Sequence, residues 1–121
     1  MIEIDKTWVL FFATIVVVIG LVVFLSSGEK DTGNYDKFTI CLTEKGVKMY
    51  GTEWCSHCKN QKKIFGDSFK YIDYVDCDKN RDECLKAEIG GYPTWIIDGI
   101  QYPGEQSFEK MSELSRCDLN G

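Results

Sequence analysis

The sequence predicts an α/β domain built on a mixed four-stranded sheet flanked by helices, preceded by one N-terminal transmembrane helix. Three observations predict it. Residues 8–25 form an uncharged apolar run, helical and strand patterns alternate from residue 35 onward, and Asp98-Gly99 separates two short apolar runs near the end.

Taken in order, residues 1–7 are a short, mildly acidic N-terminal segment. Residues 8–25 follow as the membrane anchor. At about 1.5 Å per residue the run reaches roughly 27 Å, close to the hydrocarbon thickness of a bilayer. It has no polar face, which separates it from a buried core helix. A cleaved signal peptide is the competing reading. Against it stand the acidic leader and an apolar stretch longer than the usual ~7–15 residues; in its favour is the small-residue run Ser26-Ser27-Gly28. Residues 26–34 carry no large apolar side chain and read as a hydrophilic linker.

The domain proper is expected over residues 35–117, with 118–121 as a tail. Phe38, Cys41 and Leu42 lie at helical spacing over 35–45, and Gly46 ends that helix. Residues 47–50 are a short strand. Residues 55–65 form a helix stopped by Gly66. Residues 69–77 are rich in aromatic and β-branched side chains and predict a strand buried on both faces. Asp78 is positioned to cap a helix running to Ile89. Residues 94–97 and 100–102 flank the Asp98-Gly99 turn as a hairpin. Ser107 then caps a last helix with Phe108, Met111 and Leu114 on one stripe. Strands joined through a helix pair in parallel, whereas the hairpin is antiparallel.

Composition narrows the function. The net charge of −5 excludes a generic nucleic-acid binder. All six cysteines follow the apolar run, an even number suited to an oxidising compartment. Counting Lys and Arg around the anchor gives little orientation. The cysteines decide it: a single-pass protein of the cell membrane with its C-terminal domain extracytoplasmic.

The chemistry is concentrated in Trp54-Cys55-Ser56-His57-Cys58 and in Gly91-Tyr92-Pro93-Thr94. A free cysteine of pKa about 8.5 is mostly protonated at neutral pH, and only its thiolate exchanges with disulfides. At a helix start, unpaired N–H groups and the macrodipole favour the anion. Cys55 is therefore the expected nucleophile, and Cys58, one turn further in, the buried resolving thiol. His57, the only histidine, is expected to tune the thiolate. Trp54 is expected to shield the pair and offer an apolar contact surface. Pro93 is expected in cis, turning the Tyr92 backbone toward the sulfurs so that it can hold an extended substrate. Of the outer cysteines, Cys77–Cys84 is the first choice of bridge and Cys41–Cys117 the second among fifteen connectivities; buried free thiols or an electron relay are the alternatives. A four-thiolate zinc site on Cys55, Cys58, Cys77 and Cys84 is weighed and set aside, because six residues rather than two separate the second pair. No metal or cofactor is expected.

These motifs, with the run 41–51, Gly90-Gly91-Tyr92-Pro93-Thr94-Trp95 and Tyr102-Pro103-Gly104-Glu105-Gln106-Ser107, resemble the thioredoxin superfamily. More closely, they resemble the thioredoxin-like domain fused to, or working beside, bacterial-type vitamin K epoxide reductase homologues. The resemblance covers about 83 residues. It implies a thioredoxin-like fold, a Cys55/Cys58 redox pair, a cis Pro93, cysteine-containing protein substrates, and reoxidation by a quinone-linked membrane partner on a separate chain. Two positions depart from the pattern. Ser56 stands where proline is common, and Met49 stands where many thioredoxins carry a buried acid. The expected function is membrane-anchored thiol–disulfide exchange, oxidising exported proteins. The alternatives are the reverse reaction (a reductase or isomerase) and a metal-delivery module using Cys55, His57 and Cys58.

Overall fold

In the computed structural model, which describes residues 3, 5–25 and 34–120, a helix α1 spans Lys6–Leu25. It is the one helix among the described residues long and apolar enough to cross a membrane. It begins two residues before the apolar run, where the amide of Trp8 donates to the carbonyl of Asp5 at 2.8 Å. Twenty residues give a helix of about 30 Å. Residues 26–33, most of the expected linker, lie outside the described residues.

The second unit is the expected α/β domain. Its helices are α2 (Asp36–Glu44), α3 (Ser56–Phe65), α4 (Arg81–Lys86) and α5 (Phe108–Ser115). Its strands are β1 (Lys48–Gly51), β2 (Asp73–Asp76), β3 (Thr94–Ile97) and β4 (Ile100–Pro103), in the sheet order β2-β1-β3-β4. β1 pairs with β2 in parallel; β3 runs antiparallel to β1 and to β4. This is the thioredoxin-like architecture. Asp98 and Gly99 both take positive φ (51° and 76°), the conformation that lets a two-residue turn follow the twist of its strands.

Alternation along the strands sorts the core onto two faces. Met49, Trp95 and Ile97 face α2, α3 and α5, packing with Phe38, Leu42, Phe65 and Met111. Tyr50, Val75 and Ile96 face α4 and the Cys77–Cys84 pair. The aromatic centre is tight: the Phe65 ring lies 4.8 Å from Phe108 and 5.9 Å from Trp95, centroid to centroid. Gln61 is buried in this apolar layer with both its amide oxygen and its amide nitrogen hydrogen-bonded. It accepts from Trp95 Nε1 (3.1 Å) and from the Gln106 amide (2.7 Å), and donates to the Gln106 carbonyl (3.0 Å). The segment after β4 is thereby fixed to α3.

Two expectations are corrected. The strand expected over 69–77 is only Asp73–Asp76, and Gly66–Tyr71 is a 3-10 helix. β2 is an edge strand whose ladder cannot outrun the four residues of β1, and Asp73 and Tyr74 are only half-buried. Phe69 meets Phe65 and Tyr74 from the 3-10 helix, at 6.0 and 5.7 Å. The helix expected from Asp78 to Ile89 is also shorter. Asp76 closes a turn first, its carbonyl accepting from Asn80 N (2.8 Å) and its carboxylate from Asp78 N (2.9 Å). Asn80 is the N-cap, and Glu88 with φ 56° lies past the end.

Both outer bridges have the expected connectivity, Cys41–Cys117 with 76 residues of separation and Cys77–Cys84 with 7. Loop entropy makes the first the larger contributor, about 4 kcal/mol against about 2–3 kcal/mol for the second. Urea unfolding of the double variants Cys41→Ser/Cys117→Ser and Cys77→Ser/Cys84→Ser should show that order, with both less stable than the parent.

Candidate functional site: a cysteine pair at a helix start

β1 ends at Gly51, and the chain bends through Thr52, Glu53 and Trp54 into α3. Cys55 is the N-cap of that helix, with extended backbone (φ −72°, ψ 121°). Its sulfur takes the capping position usually held by a Ser or Asp oxygen, accepting from the Cys58 amide at 3.3 Å. The Cys55 thiol also lies 3.6 Å from the Tyr92 carbonyl, toward which it donates. The Tyr92–Pro93 peptide bond is cis, as expected. Its loop is closed by Thr94 Oγ1 donating to the Gly91 carbonyl at 2.8 Å and by Gly104 N donating to the Pro93 carbonyl at 2.7 Å.

The two sulfurs are both buried but differ in what meets them. Both cysteines are free thiols, Cys55 8% exposed and Cys58 0%. Burial pushes the Cys58 thiol up to about 12, and its hydrogen bond with Cys55 adds to the rise; the Thr52 backbone amide and the Lys62 charge pull the other way. Gly51 makes room for this sulfur. A Cβ placed there would sit 2.8 Å from Cys58 Sγ and 3.4 Å from Tyr74 Cε2.

Trp54 is 66% exposed, so its ring stands beside the pair instead of closing over it. Its indole N–H donates to Asp78 Oδ2 at 2.8 Å, and the ring meets Tyr92 edge-on at 6.2 Å. His57 points away from the core: Nδ1 lies 3.1 Å from Glu105 Oε2, and both side chains are solvent-exposed. Its described polar partner is that carboxylate, not a sulfur. Cys77 and Cys84 are consumed by their own bridge, which removes them from a four-thiolate zinc site with Cys55 and Cys58.

Sequence reasoning missed Gly51, Tyr74, Glu53 and Lys62 around Cys58. Glu53 and Lys62 bond each other across the start of α3, Nζ to Oε1 at 2.9 Å. A glycine closing a strand four residues before the first cysteine was the legible signal for close approach.

Chemically, the arrangement can hold an extended chain against the Tyr92 backbone and present one sulfur to it while keeping the other beneath. Gly51→Ala should displace the Cys58 sulfur and cost about 1–3 kcal/mol in urea unfolding. The folded Cys58 pKa stands above its ordinary value of 9.0, so the stability of the dithiol form should be intact below pH 9 and fall as pH rises toward 12. The Cys55–Cys58 disulfide form carries no such proton. Unfolding midpoints of the two forms measured across that window should diverge, with the dithiol form losing more.

No family model matches the chain. Thiol-disulfide oxidoreductase LTO1 of Arabidopsis thaliana is 38% identical over 88 residues, 65% of this chain and 23% of that protein. Protein disulfide isomerase-like 2-2 of Oryza sativa subsp. japonica is 36% identical over 82 residues, 56% of this chain and 22% of that protein. Protein disulfide-isomerase 5-1 of Arabidopsis thaliana is 29% identical over 96 residues, 69% of this chain and 58% of that protein. The chain thus spans under a quarter of the first two relatives and over half of the third. A Fasciola hepatica thioredoxin structure covers 64% of this chain and 88% of its own at 21% identity, with a TM-score of 0.44, a likeness too slight to carry weight. The sheet order, the cysteine pair at a helix start and the curated relatives together support the thioredoxin superfamily.

Proposed function

We infer that the chain is a membrane-anchored thiol–disulfide oxidoreductase working through a Cys55/Cys58 redox disulfide. The observation that carries this reading is the asymmetry of the pair, one sulfur capped by an amide at a helix N-terminus and the other fully buried beside it. Names of relatives that include thiol-disulfide oxidoreductase and protein disulfide isomerase support the same chemistry.

In the oxidising direction a substrate thiolate attacks Cys55 of the disulfide form. A substrate–Cys55 bond forms, and Cys58 leaves as a thiolate that takes up a proton. A second substrate thiolate then attacks its own mixed-disulfide sulfur and releases Cys55. The substrate gains a disulfide and the enzyme gains two electrons. Tyr92 and Pro93 hold the visiting chain, Trp54 offers the apolar flank, and His57 with Glu105 sets the local charge. The chain then needs an oxidant. In this reading it is a quinone-linked, vitamin K epoxide reductase-like membrane oxidoreductase, met in the bilayer through α1, with the domain on the extracytoplasmic side of the cell membrane.

A second reading, isomerase or reductase, is favoured by the several relatives named protein disulfide isomerases. The potential discriminates. Members of the superfamily range from about −120 to −270 mV. Equilibration with glutathione is expected to give a value toward the oxidising end, and one near the reducing end would exchange the first reading for the second. Cys55→Ser should abolish exchange with a dithiol peptide, whereas Cys58→Ser should accumulate Cys55-linked mixed disulfides on non-reducing gels. Full turnover by Cys55→Ser would end both readings.

A further inference from the structure

Cys58 has to gain or lose a proton in each catalytic cycle, and it is sealed from solvent. Met49, opposite Tyr74 in the sheet register, is itself fully buried and offers no base. Tyr74 approaches the same face of Gly51 as Cys58 does: a Cβ placed there would lie 3.4 Å from Tyr74 Cε2 and 2.8 Å from Cys58 Sγ. The Tyr74 hydroxyl is buried with no hydrogen-bond partner at ordinary distance among the described residues, and the Glu53 carboxylate acts on it from further off. Lys62 Nζ lies 4.0 Å from the centre of the Tyr74 ring and 2.9 Å from Glu53 Oε1. The Glu53 side chain is 64% exposed, open to water.

We propose that Tyr74, Glu53 and Lys62 form the proton route of Cys58, with the Tyr74 hydroxyl as relay, Glu53 as acceptor at the water boundary and Lys62 as the positioning cation. The proposal rests on the thiol-exchange reading above and adds residues to it. When Cys58 attacks a Cys55 mixed disulfide, its thiol gives a proton to the Tyr74 oxygen. Tyr74 gives its own hydroxyl proton to the Glu53 carboxylate, which releases it to water. The Cys58 thiolate forms the Cys55–Cys58 bond, and the substrate sulfur leaves with the electron pair of the broken bond. Oxidation of a substrate runs the same path backward and delivers the proton to Cys58.

The charged groups around this route are few. Lys62 comes from α3 and Cys55 from its N-cap, Tyr74 and Asp76 from β2, and Glu53 from the bend before α3. Burial raises the Tyr74 pKa, and among charges Glu53 raises it most, ahead of Asp76 and Cys58, so the phenol stays neutral and able to pass a proton. Asp76 is committed to its turn, accepting from the Asp78 amide. His57 faces Glu105 instead.

The test uses the reduced full chain in detergent and 5,5′-dithiobis(2-nitrobenzoate), which releases one chromophore when Cys55 attacks and a second when Cys58 resolves. Tyr74→Phe and Glu53→Gln should each slow the second phase about tenfold or more at pH 7, within the range of general acid–base catalysis. The deficit should close by pH 10, where hydroxide replaces the relay. Lys62→Met should slow that phase as well, and Lys62→Arg should restore it. Second-phase rates equal to the parent in Tyr74→Phe and Glu53→Gln would overturn the proposal. So would an equal slowing at pH 7 and pH 10, which marks a structural role, or a loss found in Asp76→Asn instead of Glu53→Gln. Absence of the first phase in the parent would remove the exchange reaction itself, a failure distinct from that of the proton route.

Discussion

The contact between Cys58 and Gly51 is the constraint on which the rest of the site depends. A sulfur at the third position of α3 has to pass below the helix and come to rest on the last residue of β1, where any side chain would occupy its place. That contact sets how closely α3 approaches the sheet. The approach in turn fixes where its N-cap falls, and therefore where the Cys55 sulfur meets both the Cys58 amide and the Tyr92 carbonyl. Interiors are close-packed and respond to a single added methyl, so the geometry of the cysteine pair is held by the absence of one atom in the core.

Two chemically identical buried thiols are separated by what meets them. The Cys58 amide bonds the Cys55 sulfur, whereas burial raises the pKa of the Cys58 thiol three residues on. Gln61 keeps this separation stable. Its three hydrogen bonds join α3 to Trp95 of β3 and to the segment carrying Glu105, so the partner of His57 is carried by the same buried amide that anchors the helix. A polar group in an apolar layer is costly unless every bond is made; here the bonds made link three elements around the site.

Much of this was legible in the sequence. The hairpin was written in Asp98-Gly99, the end of α3 in Gly66, the cap of α5 in Ser107, and the helix-start position of the cysteine pair in its spacing. Residues 69–77 were misread because a short aromatic and β-branched run serves a strand and a 3-10 turn equally, and strand length is set by the partner, which has no local signature. Asp78 was misread because its capping chemistry is real but is spent on Trp54, a residue 24 positions away. The Tyr74–Lys62–Glu53 group was invisible for the same reason: its members meet only after β2 pairs with β1. The outer cysteines allowed only a first and a second choice of pairing, because connectivity is decided by the tertiary fold and has no local signature.

The bond from Trp54 to Asp78 has a further consequence. Asp78 lies directly after Cys77, inside the short loop closed by the second bridge, so the indole is moored to a braced segment. In the proposed exchange, a polypeptide settling over Cys55 would meet an indole already held by that bond. The encounter then forgoes the ordering cost of about 0.5–1.5 kcal/mol that a freely swinging side chain of this size would impose. Under the proposed thiol–disulfide exchange, a doorway whose frame does not move would lower that cost for each visiting chain alike.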